Sequence, residues 1–188
     1  MTSAHKRRLA DFTLDDWDNL EPIEGQRVEL VDGLFRVNAA PTPWHQQVGD
    51  ELRTLLGLVV KPLGLRAITA IAVRVRAGLG YIPDVVVCKR IAKGATSVTV
   101  DTVFLAVEIV SPSSRKIDRF EKPAAYAAAG IPAYWRVELV KNHPPTVHCY
   151  ELDNGIYVET ATVETGKPRQ VVLPFGAKVT IDVDALDE

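Results

Sequence analysis

Cysteine is nearly missing from this sequence: Cys88 and Cys149 are its only two, and they sit in no paired-ligand spacing. That scarcity argues against a disulfide framework and against a cysteine zinc site, and it suits a reducing compartment. Long apolar runs are missing as well, so no segment has the length of a membrane-spanning helix. The opening MTSAHKRRLADF is basic, but no apolar stretch follows it as a signal peptide requires. A cytoplasmic protein without membrane attachment is the expectation. Neither sign of charge is in excess, since 22 Lys and Arg face 24 Asp and Glu for a formal net charge of −2. Bulk charge therefore gives no support to nucleic-acid binding, and any phosphate-contacting surface must be a local patch. No G-x-S-x-G elbow, phosphate-binding glycine loop or zinc motif occurs, which ranks serine hydrolases, nucleotide hydrolases and zinc enzymes low.

What is present reads as one mixed α/β domain. At 188 residues, 47% apolar and 24% charged, the chain is long enough for a real core. Residues 1–12 read as a flexible tail and 13–188 as a single domain. Thr13 is placed to cap a short helix through Leu14-Asp15-Asp16-Trp17. RVELVDGLFRVN reads as a hairpin hinged on Asp32-Gly33, a pair that favours a type I′ turn. Trp44, Val48, Leu52, Leu55, Leu56 and Val59 recur at helical spacing, with Pro62 and Gly64 as the stop. Residues 66–77 alternate like one half-exposed strand. After two short apolar runs comes a helical stretch ending at Gly130, with Pro123 confining its regular part to the residues from Lys122 onward. The remainder reads as short strands and turns.

Two acids stand out against this background. VFLAVEIVS puts Glu108 inside an unbroken apolar run, and IPDVVVC opens a second such run with Asp84. Runs of this kind read as strands buried on both faces. An ionised carboxylate there loses several kcal/mol of hydration, of the order of ~3–5 kcal/mol when left unpaired. If the two strands are neighbours, the acids lie a few ångströms apart and cannot both ionise comfortably without a cation. Mg²⁺ or Mn²⁺ with oxygen ligands resolves this while keeping waters for a phosphate substrate. Lys122, on the following helical segment, supplies a nearby positive charge. Asp, Glu and Lys around a metal form a set for phosphodiester hydrolysis.

PDVVV followed by VEIVSPSSRKIDRFEKPAAYAAAGIPAYW resembles the Uma-type family of restriction-endonuclease-like proteins, within the PD-(D/E)XK nuclease superfamily. VELVDG and PTPWHQQV are similar to that family's opening motifs, so the resemblance runs from about Val28 to Trp135. It implies a restriction-endonuclease-like mixed β-sheet core flanked by helices, here with an N-terminal hairpin and C-terminal strands, and metal-dependent nuclease chemistry. It also implies roles: Asp84 as the motif's Asp, Glu108 as its second acid, and Lys122 as a relocated lysine, because Val110 stands two residues after Glu108. Glu29 of VELVDG becomes a candidate third metal ligand. Pro123 departs from the family's pattern beside that lysine.

Each of these residues also has a plainer reading. Glu108 suits a buried ion pair with Arg74 or Arg76, Asp84 a turn opening a strand, and Lys122 a solvated helix position. Glu29 suits an exposed hairpin acid, and His45 suits capping or packing. Asp118 is placed to salt-bridge or orient Lys122. Arg115, Lys116, Arg119 and Lys122, with Lys89-Arg90, form the densest basic stretches for a phosphate backbone. The expected activity is endonucleolytic hydrolysis of nucleic acid, DNA first, by a homodimer with one site per chain. The alternative is a catalytically silent nucleic-acid-binding or oligomerisation module that retains the fold.

Overall fold

The computed structural model describes residues 11–111 and 114–186. In chain order these form α1 (Leu14–Asp18), β1 (Gln26–Val31), β2 (Leu34–Ala39), α2 (Pro43–Val60), β3 (Leu65–Thr69), β4 (Ala72–Arg76), β5 (Leu79–Tyr81) and β6 (Val85–Lys89). There follow β7 (Ser97–Thr99), β8 (Val103–Val110), α3 (Lys122–Ala128), β9 (Ala133–Val140), β10 (His143–Asp153), β11 (Ile156–Val163), β12 (Arg169–Val172) and β13 (Lys178–Ile181). A six-stranded mixed sheet runs β11-β10-β9-β8-β6-β3, with β8 and β9 parallel and the other pairs antiparallel. A five-stranded sheet runs β2-β1-β5-β4-β7, and β12 and β13 pair by themselves. This is the mixed α/β architecture expected.

Local chemistry accounts for the elements. Thr13 caps α1 through a reciprocal bond with Asp16. Asp32 and Gly33 both take positive φ, 50° and 77°, which is the type I′ turn that lets β1 and β2 pair from Gln26↔Ala39 to Val31↔Leu34. Thr42 caps α2, and Gly64 ends the turn after it at φ 77°. Of the tail expected over 1–12, residues 1–10 lie outside the described residues. Phe12 is docked: its N–H donates to Gly33 O, and its ring stacks on Phe35 with centroids 4.2 Å apart.

Two departures from expectation bear on the site. The single strand expected over 66–77 is two strands in different sheets, because Ala70 turns the chain at φ 50° and sends β3 to β6 and β4 to β5. Ahead of α3, residues Ile117–Glu121 form a π-helical turn that runs straight into Lys122. Pro123 has no N–H to continue the α ladder, and wide turns of this kind recur at functional sites.

The core has two compartments. Odd-numbered residues Val85, Val87, Leu105, Val107 and Ile109 pack with Val48, Leu52 and Leu56 of α2, and with Val171, Val179 and Ile181 of the β12–β13 pair. Even-numbered Val86, Cys88 and Ala106 face the other way, with Tyr126, Tyr134 and the inner residues Val73, Leu79 and Tyr81 of the five-stranded sheet. Period-two alternation therefore aims Glu108 into the space between the two sheets.

Candidate active site

Strands β6 and β8 are antiparallel neighbours with Val85 opposite Val107, and Asp84 stands immediately before β6, at the end of the pair where β8 carries Glu108. Its backbone N–H donates to Val107 O at 3.0 Å, and its Oδ2 accepts from the Ile109 N–H at 2.8 Å. The side chain is thereby held by the strand that carries Glu108. Oδ1 accepts from Arg27 Nη1 at 2.6 Å, and His45 Nε2 lies 3.3 Å from Oδ2 and 3.0 Å from Ile109 O. Burial pushes the Asp84 carboxyl up, but His45, Lys122 and Arg27 outweigh it and hold the group below its ordinary range. Asp84 is a carboxylate.

Glu108 is only 1% exposed. Its Oε2 accepts from Lys122 Nζ at 2.9 Å and its Oε1 from the Tyr126 hydroxyl at 2.7 Å. Neither arginine proposed as its partner is there: Arg74 pairs with Asp15 and Asp18, and Arg76 with Asp32. Lys122 Nζ also lies 3.1 Å from Glu29 Oε1 and 3.5 Å from Asp118 Oδ1. Glu29 is itself fixed, accepting from Ile82 N–H and from Asn38 Nδ2, each at 3.1 Å. So the hairpin, β8, the π-turn and α3 deliver Glu29, Glu108, Asp118 and Lys122 to one buried cluster, and Asp84, just ahead of β6, adds a further carboxylate near it.

Charge in this cluster is unbalanced. One ammonium faces three carboxylates, and Arg27 neutralises only the fourth. Burial drives the Glu108 carboxyl well above its usual range; Lys122 opposes this, while Asp118, Asp84 and Glu29 add to it. Burial likewise raises Asp118. Burial alone would lower the Lys122 ammonium, but Glu108, Glu29, Asp118 and Asp84 hold it well above its ordinary value. A proton, or a further cation, is what such a set lacks.

The donors fit a hard divalent ion. Asp84 and Glu108 offer carboxylate oxygens, the negative charge is in excess, and Asp84 opens onto a cavity of about 320 Å³ lined also by Arg27, His45, Asp50 and Thr69. Among the described residues no three His, Cys, Asp or Glu side chains are grouped closely enough to hold an ion by themselves. Two carboxylates completed by waters is the usual pattern for Mg²⁺.

The sequence reading missed Arg27 and undervalued His45. Arg27 shares a face with Glu29 because the two are two residues apart on a strand, which was the available signal. His45 at the start of α2 gives no local sign of reaching Asp84. Of the basic stretch, Arg119 is committed to Glu138 through two bonds of 2.9 Å, and Lys116 lies 3.9 Å from Glu121. Among the described residues no helix is long and apolar enough to cross a membrane.

The chain is thus a two-sheet α/β protein with buried acids gathered around a lysine. The chain matches the Uma2 family, described as "Putative restriction endonuclease", over residues 14–184, and it belongs to that family. Its fold is similar to that of a crystal structure of a "putative nuclease belonging to DUF820" from Anabaena variabilis, with a TM-score of 0.68 at 19% identity over 93% of this chain and 97% of that one. No curated protein matches the chain.

Proposed function

We propose that the chain is a Mg²⁺- or Mn²⁺-dependent endonuclease that hydrolyses nucleic-acid phosphodiester bonds, DNA being the first substrate to test. The observation that carries the reading is the buried cluster in which Lys122 Nζ lies 2.9 Å from Glu108, 3.1 Å from Glu29 and 3.5 Å from Asp118, with Asp84 held to β8 through the Ile109 N–H. Asp84 and Glu108 are the metal ligands and Glu29 an additional acid for the same centre. A bound divalent ion supplies Lewis acidity at the phosphoryl oxygen and a water of lowered pKa. Lys122 keeps its proton at neutral pH, so it acts as a hydrogen-bond donor that orients the attacking water and offsets charge on the phosphoryl oxygens, not as a base. Tyr126 and Asp118 position Glu108 and Lys122. Cutting both strands with one site per chain favours a homodimer. The buried free thiols Cys88 and Cys149 accord with a cytoplasmic location.

The test is cleavage of plasmid DNA and of structured RNA with Mn²⁺ by the wild type, Asp84→Asn and Lys122→Ala. Loss of about 10²–10³ in rate in each variant is expected for removal of a ligand or of a charge-stabilising donor. Equal activity in all three proteins would remove the assignment. One observation favours the silent module: every acid already has a protein cation within 3.5 Å. Absence of Mn²⁺ uptake by the wild type would decide for it.

A further inference from the structure

Asp84 has one oxygen committed to the fold and one committed to Arg27. Oδ2 takes the Ile109 N–H, so Oδ1 is the atom left for a ligand, and Arg27 Nη1 lies 2.6 Å from it. Arg27 is also the exposed half of this ion pair, with a side chain 26% accessible against 8% for Asp84. It lines the cavity from β1, on the same strand face as Glu29. On β2, Arg36 stands opposite Glu29, away from this cavity's lining, and its Nη2 donates to Glu121 at 3.3 Å, so Arg27 is the cationic donor of the cavity wall. A planar guanidinium matches the oxygens of a phosphate as well as those of a carboxylate.

We propose that Arg27 is a tethered counter-cation: it holds Asp84 Oδ1 in the metal-free chain, yields that oxygen to the divalent ion, and turns its guanidinium to a backbone phosphate of the substrate. The inference rests on the metal-dependent nuclease reading. Arg27 and the ion are then competing ligands of one carboxylate, so removing the arginine strengthens the ion's binding. Removing it also weakens substrate binding, because a phosphate contact goes. A residue with a merely structural role would weaken both.

Calorimetric titration of Mn²⁺ into chelator-treated protein reads the first effect. Anisotropy of a labelled DNA duplex, kept uncut by Ca²⁺, reads the second. Arg27→Gln is expected to bind Mn²⁺ on the order of tenfold more tightly and the duplex on the order of tenfold more weakly. Arg36→Gln, which removes the same charge from the same hairpin without touching Asp84, is expected to leave Mn²⁺ affinity as it is. If wild type binds Mn²⁺ but Arg27→Gln gains nothing, or Arg36→Gln gains as much, the role of Arg27 is overturned and the Asp84–Glu108 centre stands. If neither wild type nor Arg27→Gln takes up Mn²⁺, the nuclease reading falls with it. Should circular dichroism show Arg27→Gln unfolded, Arg27→Lys carries the test. It keeps the ion pair and loses the fork, so it is expected to bind Mn²⁺ like the wild type and the duplex more weakly; unchanged duplex binding overturns the proposal.

Discussion

Glu108 is the side chain on which the cost of the cluster falls. A carboxyl whose pKa is raised on folding binds its proton more tightly in the folded state, so its contribution is complete below the ordinary value of 4.5 and is lost as pH rises through the raised one. Asp118 works in the same direction. Asp84 works in the opposite one: its depressed pKa contributes stability above 3.8, lost as pH falls through the folded value. Lys122 contributes below its ordinary 10.5 and loses that only as pH climbs through its still higher folded value. Metal-free protein is therefore expected to lose stability as pH rises from 4.5 through the folded Glu108 value. Glu108→Gln keeps an amide oxygen for Lys122 and an N–H for the Tyr126 hydroxyl while removing the buried charge. It is expected to flatten that decline, to gain roughly 0.5–2 kcal/mol at neutral pH, and to lose cleavage. Thermal denaturation across pH in chelator checks this; a variant less stable than wild type at pH 7 would mean that Lys122 repays the burial in full.

The hairpin that brings Arg27 and Glu29 to the cleft is held from behind by α1. Trp17 Nε1 donates to Val28 O at 2.7 Å, and its ring lies so close over β5 that a Cβ on Gly80 would overlap it. Gly80 faces Leu30 of β1 across the strand pair. Gly80→Ala must push Trp17 outward and β1 with it, at about 1–3 kcal/mol for overpacking. A lowered melting temperature and faster hydrogen exchange at Val28 and Leu30 are expected, and an unchanged melt would show that the ring has room to move. Parts of this arrangement were legible because their signals are local. Asp32-Gly33 wrote the turn, the apolar period wrote α2, and uninterrupted valines wrote β6. The split between β3 and β4 was not legible, since Ala70 carries a left-handed backbone with no glycine or asparagine to announce it. Three-residue β5 and β7 owe their existence to partners on other strands. Asp84, Glu108 and Lys122 could be named from an acid in an apolar run and a resemblance. Arg27 at 57 residues' remove from Asp84 depends on how two sheets meet, which periodicity along one segment does not encode.

Across the molecule, the buried cluster is the polar seam between two sheets that otherwise meet through apolar packing. Glu29 comes from the five-stranded sheet, Glu108 from the six-stranded one, and Lys122 from the crossover between β8 and β9. On the proposed reading an ion bound at Asp84 and Glu108 would supply positive charge at that seam, and its binding free energy would add to the stability of the folded state. At a hundredfold excess over its dissociation constant the gain is about 2.7 kcal/mol, which for a chain of this size raises the melting temperature by about 5–10 °C. Asp84→Asn retains an acceptor for the Ile109 N–H but not the charge, and is expected to show none of this shift. Hydrogen exchange should localise the effect. Protection is expected to rise with Mn²⁺ in β1, β6, β8 and the start of α3, while β12 and β13, on the opposite side of the six-stranded sheet behind α2's compartment, stay as they were. A shift of equal size in Asp84→Asn, or protection spread evenly over the chain, would mean that Mn²⁺ stabilises the protein from somewhere other than this seam.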